Sequence, residues 1–421
     1  MYYDIYRWLE KEVAAGLDPK SQYHQNAVMQ CVDVNNAYLK ARHSDVDWVP
    51  DECDKFMDAW LNGNKTGLRI LADFDTLYKQ GHPEPAPPTP VPVPDPGPAP
   101  QPGGEITSFL ALPVMDDSDN CYFTVCRVNG EILASTYKDG SYQSMIYDLT
   151  HKERWRFNAE SGFMIILFKG RYYMSQEHGD YSTVDRGMVR CLENGAWKEV
   201  YRHPRWDLIT EMHVHGNYLY ASGCCFGNDS DPAGIVRTFD GVTWEEWLVN
   251  PYEYRFWGMT SGADGALWTA ATSSGADWGK NNCNPSVFRN KDLMWRDKDH
   301  PNSGFWAIEA WHNDLFLGRC GDAAVVRYSD KKEVLTMPGY EAIHDLAIDK
   351  KTDTLLAFVN GGPGGAIVMA TKNGENWYEM DKGFTVPSII DGYYDDQEEA
   401  IYLATGKFGG NGRLYKSRRR V

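Results

Sequence analysis

Apolar and polar positions change rhythm twice along this chain. In residues 1–82, Ile5, Trp8, Leu9 and Val13 recur at the helical period, and Gly16 with Pro19 supplies stop signals. Val28, Cys31, Val32, Tyr38 and Leu39 predict a second helix within 22–42. Pro50-Asp51-Glu52 starts a third, with Phe56, Ala59 and Trp60 on one face and Asn62-Gly63 at its end. Leu68, Leu71, Phe74, Leu77 and Tyr78 mark a fourth. The pattern predicts a small all-α domain with a modest core and no catalytic constellation. Docking is its expected role.

Residues 83–104 break both periods. Eleven of the chain's 22 prolines fall here, nearly one at every second position. Each fixes φ and removes an amide donor, so neither helix nor sheet can form. A semi-rigid polyproline linker is expected, rising about 3.1 Å per residue. Gly103-Gly104 follows as a flexible joint.

From residue 105 onward, short runs rich in Tyr, Trp, Val and Ile alternate with tight turns, a β pattern. Asn194-Gly195-Ala196-Trp197, Asp240-Gly241-Val242-Thr243-Trp244 and Asn373-Gly374-Glu375-Asn376-Trp377 are one motif, a hairpin turn followed by a strand Trp. Weaker copies end at Trp155 and Trp295. Val334 fills the one missing Trp slot. The mean spacing of about 44 residues is that of a four-stranded propeller blade. Residues 105–421 hold seven such units. The last unit ends on Arg413–Ser417 with no Trp strand behind it, whereas Ile106–Leu112 is a lone strand behind the linker. Pairing these two would close the ring without an orphan edge.

On these Asn/Asp-Gly-x-(x)-Trp turns, three quarters of the chain resembles β-propellers of the Asp-box, kelch and tachylectin-like kind. The resemblance implies a mainly β fold: a seven-bladed β-propeller closed by an N-terminal strand (105–421), preceded by a small all-α domain (1–82) and a polyproline linker (83–104). The turns depart from a true Asp box, because Arg237 and Phe239, or Ala370 and Lys372, stand where that motif has Ser and Asp. Such propellers host lectins, hydrolases and scaffolds alike, so function has to come from the site.

Turn lengths point to one face. Asn129-Gly130, Lys169-Gly170, Gly216-Asn217, Asp240-Gly241 and Asn373-Gly374 are minimal hairpins. The opposite face carries the long loops 176–187, 201–208, 223–234, 249–256, 272–286 and 296–304. Long loops on a rigid scaffold are where recognition is usually placed. Aromatic rings beside charged groups suit sugar rings or protein hot spots. His178, Arg205, Trp206, Tyr252, Tyr254, Arg255 and Trp278 are the candidate ligand-binding residues on this ground. Trp257 and Trp306 are expected to pack between units.

The acidic balance, 42 Lys+Arg against 59 Asp+Glu, argues against a nucleic-acid or anionic-membrane partner. No apolar run is long enough to insert in a bilayer, and the N-terminus lacks the plan of a secretory signal. The nine cysteines form no C-x-x-C pair, which fits reduced, buried thiols. Glu211, His213 and His215 share one strand face at period two. A metal there would need another ligand, and burial against a neighbouring unit is the expectation. Asn228-Asp229-Ser230-Asp231 reads as a solvated turn and Lys416–Arg420 as a solvated basic tail. No catalytic residue, metal or cofactor is assigned.

A docking module, a stiff spacer and a binding propeller together resemble a tailed-phage appendage, a head fibre or receptor-binding protein. The resemblance implies a non-enzymatic virion protein made in the host cytoplasm. Residues 1–82 would dock to capsid or tail protein, and the long-loop face would bind a cell-surface glycan or protein. A homo-oligomer is one form such display can take. Two alternatives stay open. One is a sialidase-like glycan hydrolase using Glu253, Asp207 and Arg255, with Arg202, Arg205, Arg296 and Tyr254 nearby. The other is a cytoplasmic protein-interaction scaffold.

Overall fold

The computed structural model describes residues 104–137, 143–159, 161–177, 186–224, 233–250, 253–273, 284–382, 384–407 and 410–420. The expected helical domain (1–82) and the linker, apart from Gly104, lie outside the described residues.

The described residues form strands joined by turns and loops. Ile106–Asp117 (β1) comes first. Cys121–Val128 (β2), Glu131–Tyr137 (β3), Ser144–Asp148 (β4) and Glu153–Phe157 (β5) then make an antiparallel meander. The second is Ser161–Phe168 (β6), Arg171–Glu177 (β7), Met188–Glu193 (β8) and Ala196–Arg202 (β9). Leu208–His215 (β10), Tyr218–Cys224 (β11), Ala233–Thr238 (β12) and Trp244–Asn250 (β13) make the third. Glu253–Ser261 (β14), Leu267–Ser273 (β15), Pro285–Arg289 (β16) and Asp292–Arg296 (β17) make the fourth. The fifth is Gly304–Trp311 (β18), Asp314–Cys320 (β19), Ala324–Arg327 (β20) and Lys332–Thr336 (β21). Ala342–Asp349 (β22), Thr354–Asn360 (β23), Ile367–Thr371 (β24) and Trp377–Asp381 (β25) follow. Ser388–Asp395 (β26), Ala400–Lys407 (β27) and Gly410–Arg419 (β28) end the chain, and β1 pairs antiparallel to β28 as their fourth strand.

Local chemistry explains the meanders. The two-residue hairpins need positive φ at both central positions, and Asn129-Gly130 and Asn194-Gly195 adopt it. At Asp240-Gly241, Asp240 Oδ1 accepts the amides of Val242 (2.8 Å) and Thr243 (2.7 Å), while Thr238 Oγ1 accepts that of Gly241 (2.8 Å). Those amides hold the Asp240 carboxyl well below its ordinary range. Asn373 and Thr371 repeat the arrangement. The turn oxygens therefore sit one residue later than the Asp-box frame expects. Trp155, Trp197, Trp244, Trp295 and Trp377 lie on the fourth strands β5, β9, β13, β17 and β25, with Val334 on β21.

Apolar burial joins each meander to the next. Leu133 and Ile146 share a cluster with Ile165 and Met174; Tyr173 and Val189 share one with Ile209 and Leu219. The series continues until Tyr402 and Leu414 of the last set meet Tyr122 and Ile132 of the first. The C-terminal basic residues are part of this frame, which corrects the solvated-tail expectation. Arg419 holds the buried Asp349 carboxylate at 2.6 and 2.8 Å, and Lys416 pairs with Glu398.

The first strand of every set is bulged. Phe123, Phe163, Thr210, Trp306, His344 and Ile390 are each the extra residue; β14 instead has Tyr254 as an extra residue and, further along, Trp257 and Gly258 opposite the single Ala270. A bulge shifts the facing of every side chain beyond it. Repetition at one level in six of the seven first strands aligns their side chains in layers.

Candidate functional site

The seven first strands line a cavity of about 1080 Å³. They run from the loop-bearing end, where Glu177, Cys320 and Asn360 close the second strands, towards Lys350 and Tyr394 at the short-turn end. Arg255 of β14 is near the loop-bearing end, 3% exposed, with its guanidinium 4.7 Å from the Trp257 ring centroid. The Trp257 ring packs at a tilt against Trp306 of β18, centroids 4.7 Å apart, and Trp306 packs likewise against His344 of β22 at 4.7 Å. These bulge residues form a continuous row across three neighbouring strands. The two tryptophans therefore line the cavity as well as packing between neighbouring strands.

One residue beyond the bulge stand Glu211 on β10, Asp345 on β22 and Asp391 on β26. Asp345 Oδ2 accepts the Gly392 amide of the next first strand at 3.0 Å. Asp391 Oδ2 accepts the Val125 amide at 3.0 Å and the Thr124 hydroxyl at 2.8 Å, again from the next set. Met164 of β6 does the same with its sulfur, accepting the Met212 amide at 3.3 Å. Residues at this position thus clasp neighbouring sets together. Two residues further along their strands, His213 Nε2 meets Ser261 Oγ at 2.9 Å, and Glu309 Oε1 accepts the Ala310 amide at 3.0 Å.

These carboxylates are half-buried and face the cavity. Burial, reinforced by Asp345, Asp391 and Glu309, pushes Glu211 well above the usual carboxylate range. Burial also raises Asp345 and Asp391, and takes Glu309 up to about 7. It lowers His213 and His344 to about 4, so both imidazoles are neutral at neutral pH.

The two groups work in opposite directions on stability. Between about pH 4.5 and 7, folded Glu309 keeps a proton that the unfolded chain releases, so its contribution falls as pH rises. The histidines are protonated in the unfolded chain below about 6.5, and their contribution is lost as pH falls towards 4. Glu309→Gln removes one carboxylate arm and keeps an oxygen for the Ala310 amide. Denaturation across pH 4.5–8 should show this variant gaining on the parent with rising pH, to about 3 kcal/mol above pH 7. A constant difference across that range would refute the burial of Glu309.

The sequence-predicted residues scatter. Arg255 lines the cavity. Trp206 does not reach a ligand face, which corrects that expectation. It is 0% exposed, stacked at 3.7 Å on His203, and its ring lies against the Gly223 and Gly234 backbones. Its backbone amide donates to His203 Nδ1 at 2.8 Å. Burial lowers the His203 imidazole to about 3, which keeps that nitrogen an acceptor. Arg205 is on the surface, paired with Glu246 at 3.0 Å. Tyr254 lies on β14, while His178, Tyr252 and Trp278 lie outside the described residues. Of the hydrolase alternative's residues, Arg255 lines the cavity and the charged others are paired. Glu253 is buried against Arg296, Asp207 pairs with Arg186 at 2.6 Å, and Arg202 pairs with Glu199 at 2.6 Å. Among the described residues no group of three or more His, Cys, Asp or Glu side chains is arranged to hold a metal ion.

Glu211, Trp257, Trp306, Glu309, His344, Asp345 and Asp391 escape the sequence-based ligand set. The period-two spacing of Glu211 and His213 was the available signal, and the structure turns that face to the cavity.

No protein-family model matches the chain, and no curated protein matches it in sequence. Solved structures resemble it in fold. Streptogramin B lyase aligns with a TM-score of 0.50 at 12% identity, covering 74% of this chain and 98% of that one. The extracellular domain of a hybrid two-component system from B. thetaiotaomicron aligns at 0.49 and 13% identity, covering 72% of this chain. This chain spans 39% of that structure's length. At such identity the likeness concerns architecture alone. The described residues form a mainly β, propeller-like domain.

Proposed function

We propose that residues 105–421 are a seven-bladed β-propeller acting as a binding domain, with a cell-surface glycan or protein as its ligand on the loop-bearing face. In this reading the chain is a non-enzymatic virion appendage. Residues 1–82 dock to capsid or tail protein, and 83–104 hold the propeller away from the particle. The appendage reading rests on the order of these pieces along the sequence. Support for a binding role comes from one observation, the axial cavity with its row of Arg255, Trp257, Trp306 and His344. A mostly apolar wall with a few oriented polar groups is the usual make-up of a ligand site.

A glycan array with a parallel turnover assay tests this. Retention of particular glycans without product release is the expected result. Product release would favour a hydrolase, and glycan silence with a stable protein partner would favour the scaffold. Particles that still incorporate a chain lacking 1–82 would remove the docking role.

A further inference from the structure

Resting on the binding-domain reading, we infer that the axial cavity takes an amino sugar, a glycan residue with a free, protonated amine, which the Glu211 carboxylate receives beneath the aromatic row. The starting point is an inequality among equivalent residues. Asp345 and Asp391 stand one residue past the bulge, and each is accounted for by a backbone amide of the next strand. Met164 fills the same role with a thioether. Glu211 stands at that position too, with a side chain one methylene longer. Among the described residues, no hydrogen-bond or ion-pair partner falls to its carboxylate, which faces the cavity. A carboxylate with no structural use is costly in such a place.

Charge in the cavity selects the ligand's sign. Glu211 shares the space with Asp345, Asp391 and Glu309, whose repulsion and burial suppress its ionisation. Arg255 and Lys350 are the cationic side chains on the described lining, and each lies towards an end of the strands, away from this layer. An anionic sugar would meet like charge here. An ammonium would restore the carboxylate's charge and form a charge-assisted hydrogen bond. The cationic group would pass the Trp257 and Trp306 rings on its way from the loop-bearing end.

The remaining lining distinguishes a sugar from a lysine side chain. Thr124, Thr210 and Thr260 lie on three different strands of the lining, each hydroxyl donating within the protein and keeping an oxygen that can accept. A cavity of about 1080 Å³ at the upper end of small-ligand size has room for more than one ring. Donors and acceptors spread around a wide cavity suit a polyhydroxylated ligand, whereas a single alkylammonium would use one carboxylate.

Calorimetry of the full chain with a glucosamine tetramer and its fully N-acetylated counterpart tests the charge directly. The free-amine tetramer should bind at least about tenfold more tightly. Glu211→Gln should erase that preference by weakening the amine form, and leave the acetylated form unchanged. The same variant should melt no lower than the parent, since Gln replaces at nearly equal size a carboxyl group whose ionisation burial and its acidic neighbours already suppress. If it fails to fold, the parent's amine-to-acetyl ratio still decides. Equal binding of both tetramers, or a preference that survives Glu211→Gln, overturns the amino-sugar site and leaves a binding domain for neutral glycans. Silence towards every glycan overturns the amino-sugar site and leaves the binding domain with a protein ligand. Capture of a lysine-rich peptide with neither tetramer bound also overturns the sugar assignment.

Discussion

A chain beginning at Ser118 should lose its cooperative melt, whereas one beginning at Gly104 should keep it. The difference is β1. It contributes Ile106 and Phe109 at 6% exposure and Met115 at 0%. Burying such side chains is worth about 1.5–3 kcal/mol each. Their sum, roughly 5–9 kcal/mol, rivals the whole stability of an ordinary domain, about 5–15 kcal/mol. Polar ties add to it. The Phe109 amide donates to Asp381 Oδ2 at 2.6 Å, and Asp116 pairs with Arg413 at 2.7 Å. Removing β1 also strips β28 of its partner and leaves an open edge ready to pair with another chain. Thermal melting, with light scattering to follow association, reads both effects. A Ser118 chain that melts within a few degrees of the Gly104 chain would show that β1 does not close the domain.

Trp206→Ala should cost about 3–5 kcal/mol of stability, the range for a large aromatic lost from a core. Gly223→Ala should be harmful at the same place for the opposite reason. Its added Cβ would lie 2.3 Å from Trp206 Cε3 and 2.7 Å from the Leu208 carbonyl oxygen, and the second is backbone that cannot swing aside. One change empties the slot between β11 and β12, and the other overfills it. Denaturant midpoints should fall for both with little change in slope. If Trp206→Ala kept its midpoint and lost ligand instead, Trp206 would belong to the binding surface after all.

The contrast between Trp206 and Trp257 shows why the site was hard to read. Both tryptophans follow an arginine within two residues at the end of a predicted loop. The sequence pattern assigns Trp206 to the ligand and Trp257 to packing, whereas the structure puts Trp206 in the core and Trp257 on the cavity. Trp206 precedes β10 and turns into the core between two glycine-bearing strands. Trp257 lies in a bulge of β14, where it and Gly258 oppose the single Ala270, and it lines the cavity. Glu211 tells the same story. Its alternation with His213 was visible, but which face the pair presents depends on the single residue inserted at Thr210.

Strand order, hairpin turns, the four-strand unit and the pairing of the first strand with the last were legible in the chain's local pattern. Each depends on consecutive residues, such as an Asn-Gly with positive φ or a Trp at a fixed offset. Tertiary structure alone decided which side chains reach the axis, because a bulge reverses facing without leaving a mark in the hydrophobic pattern. It also separated Glu211 from Asp345 and Asp391. That distinction rests on whether an amide 47 or 266 residues away along the chain comes within hydrogen-bond reach, and only the folded arrangement of the first strands brings it there.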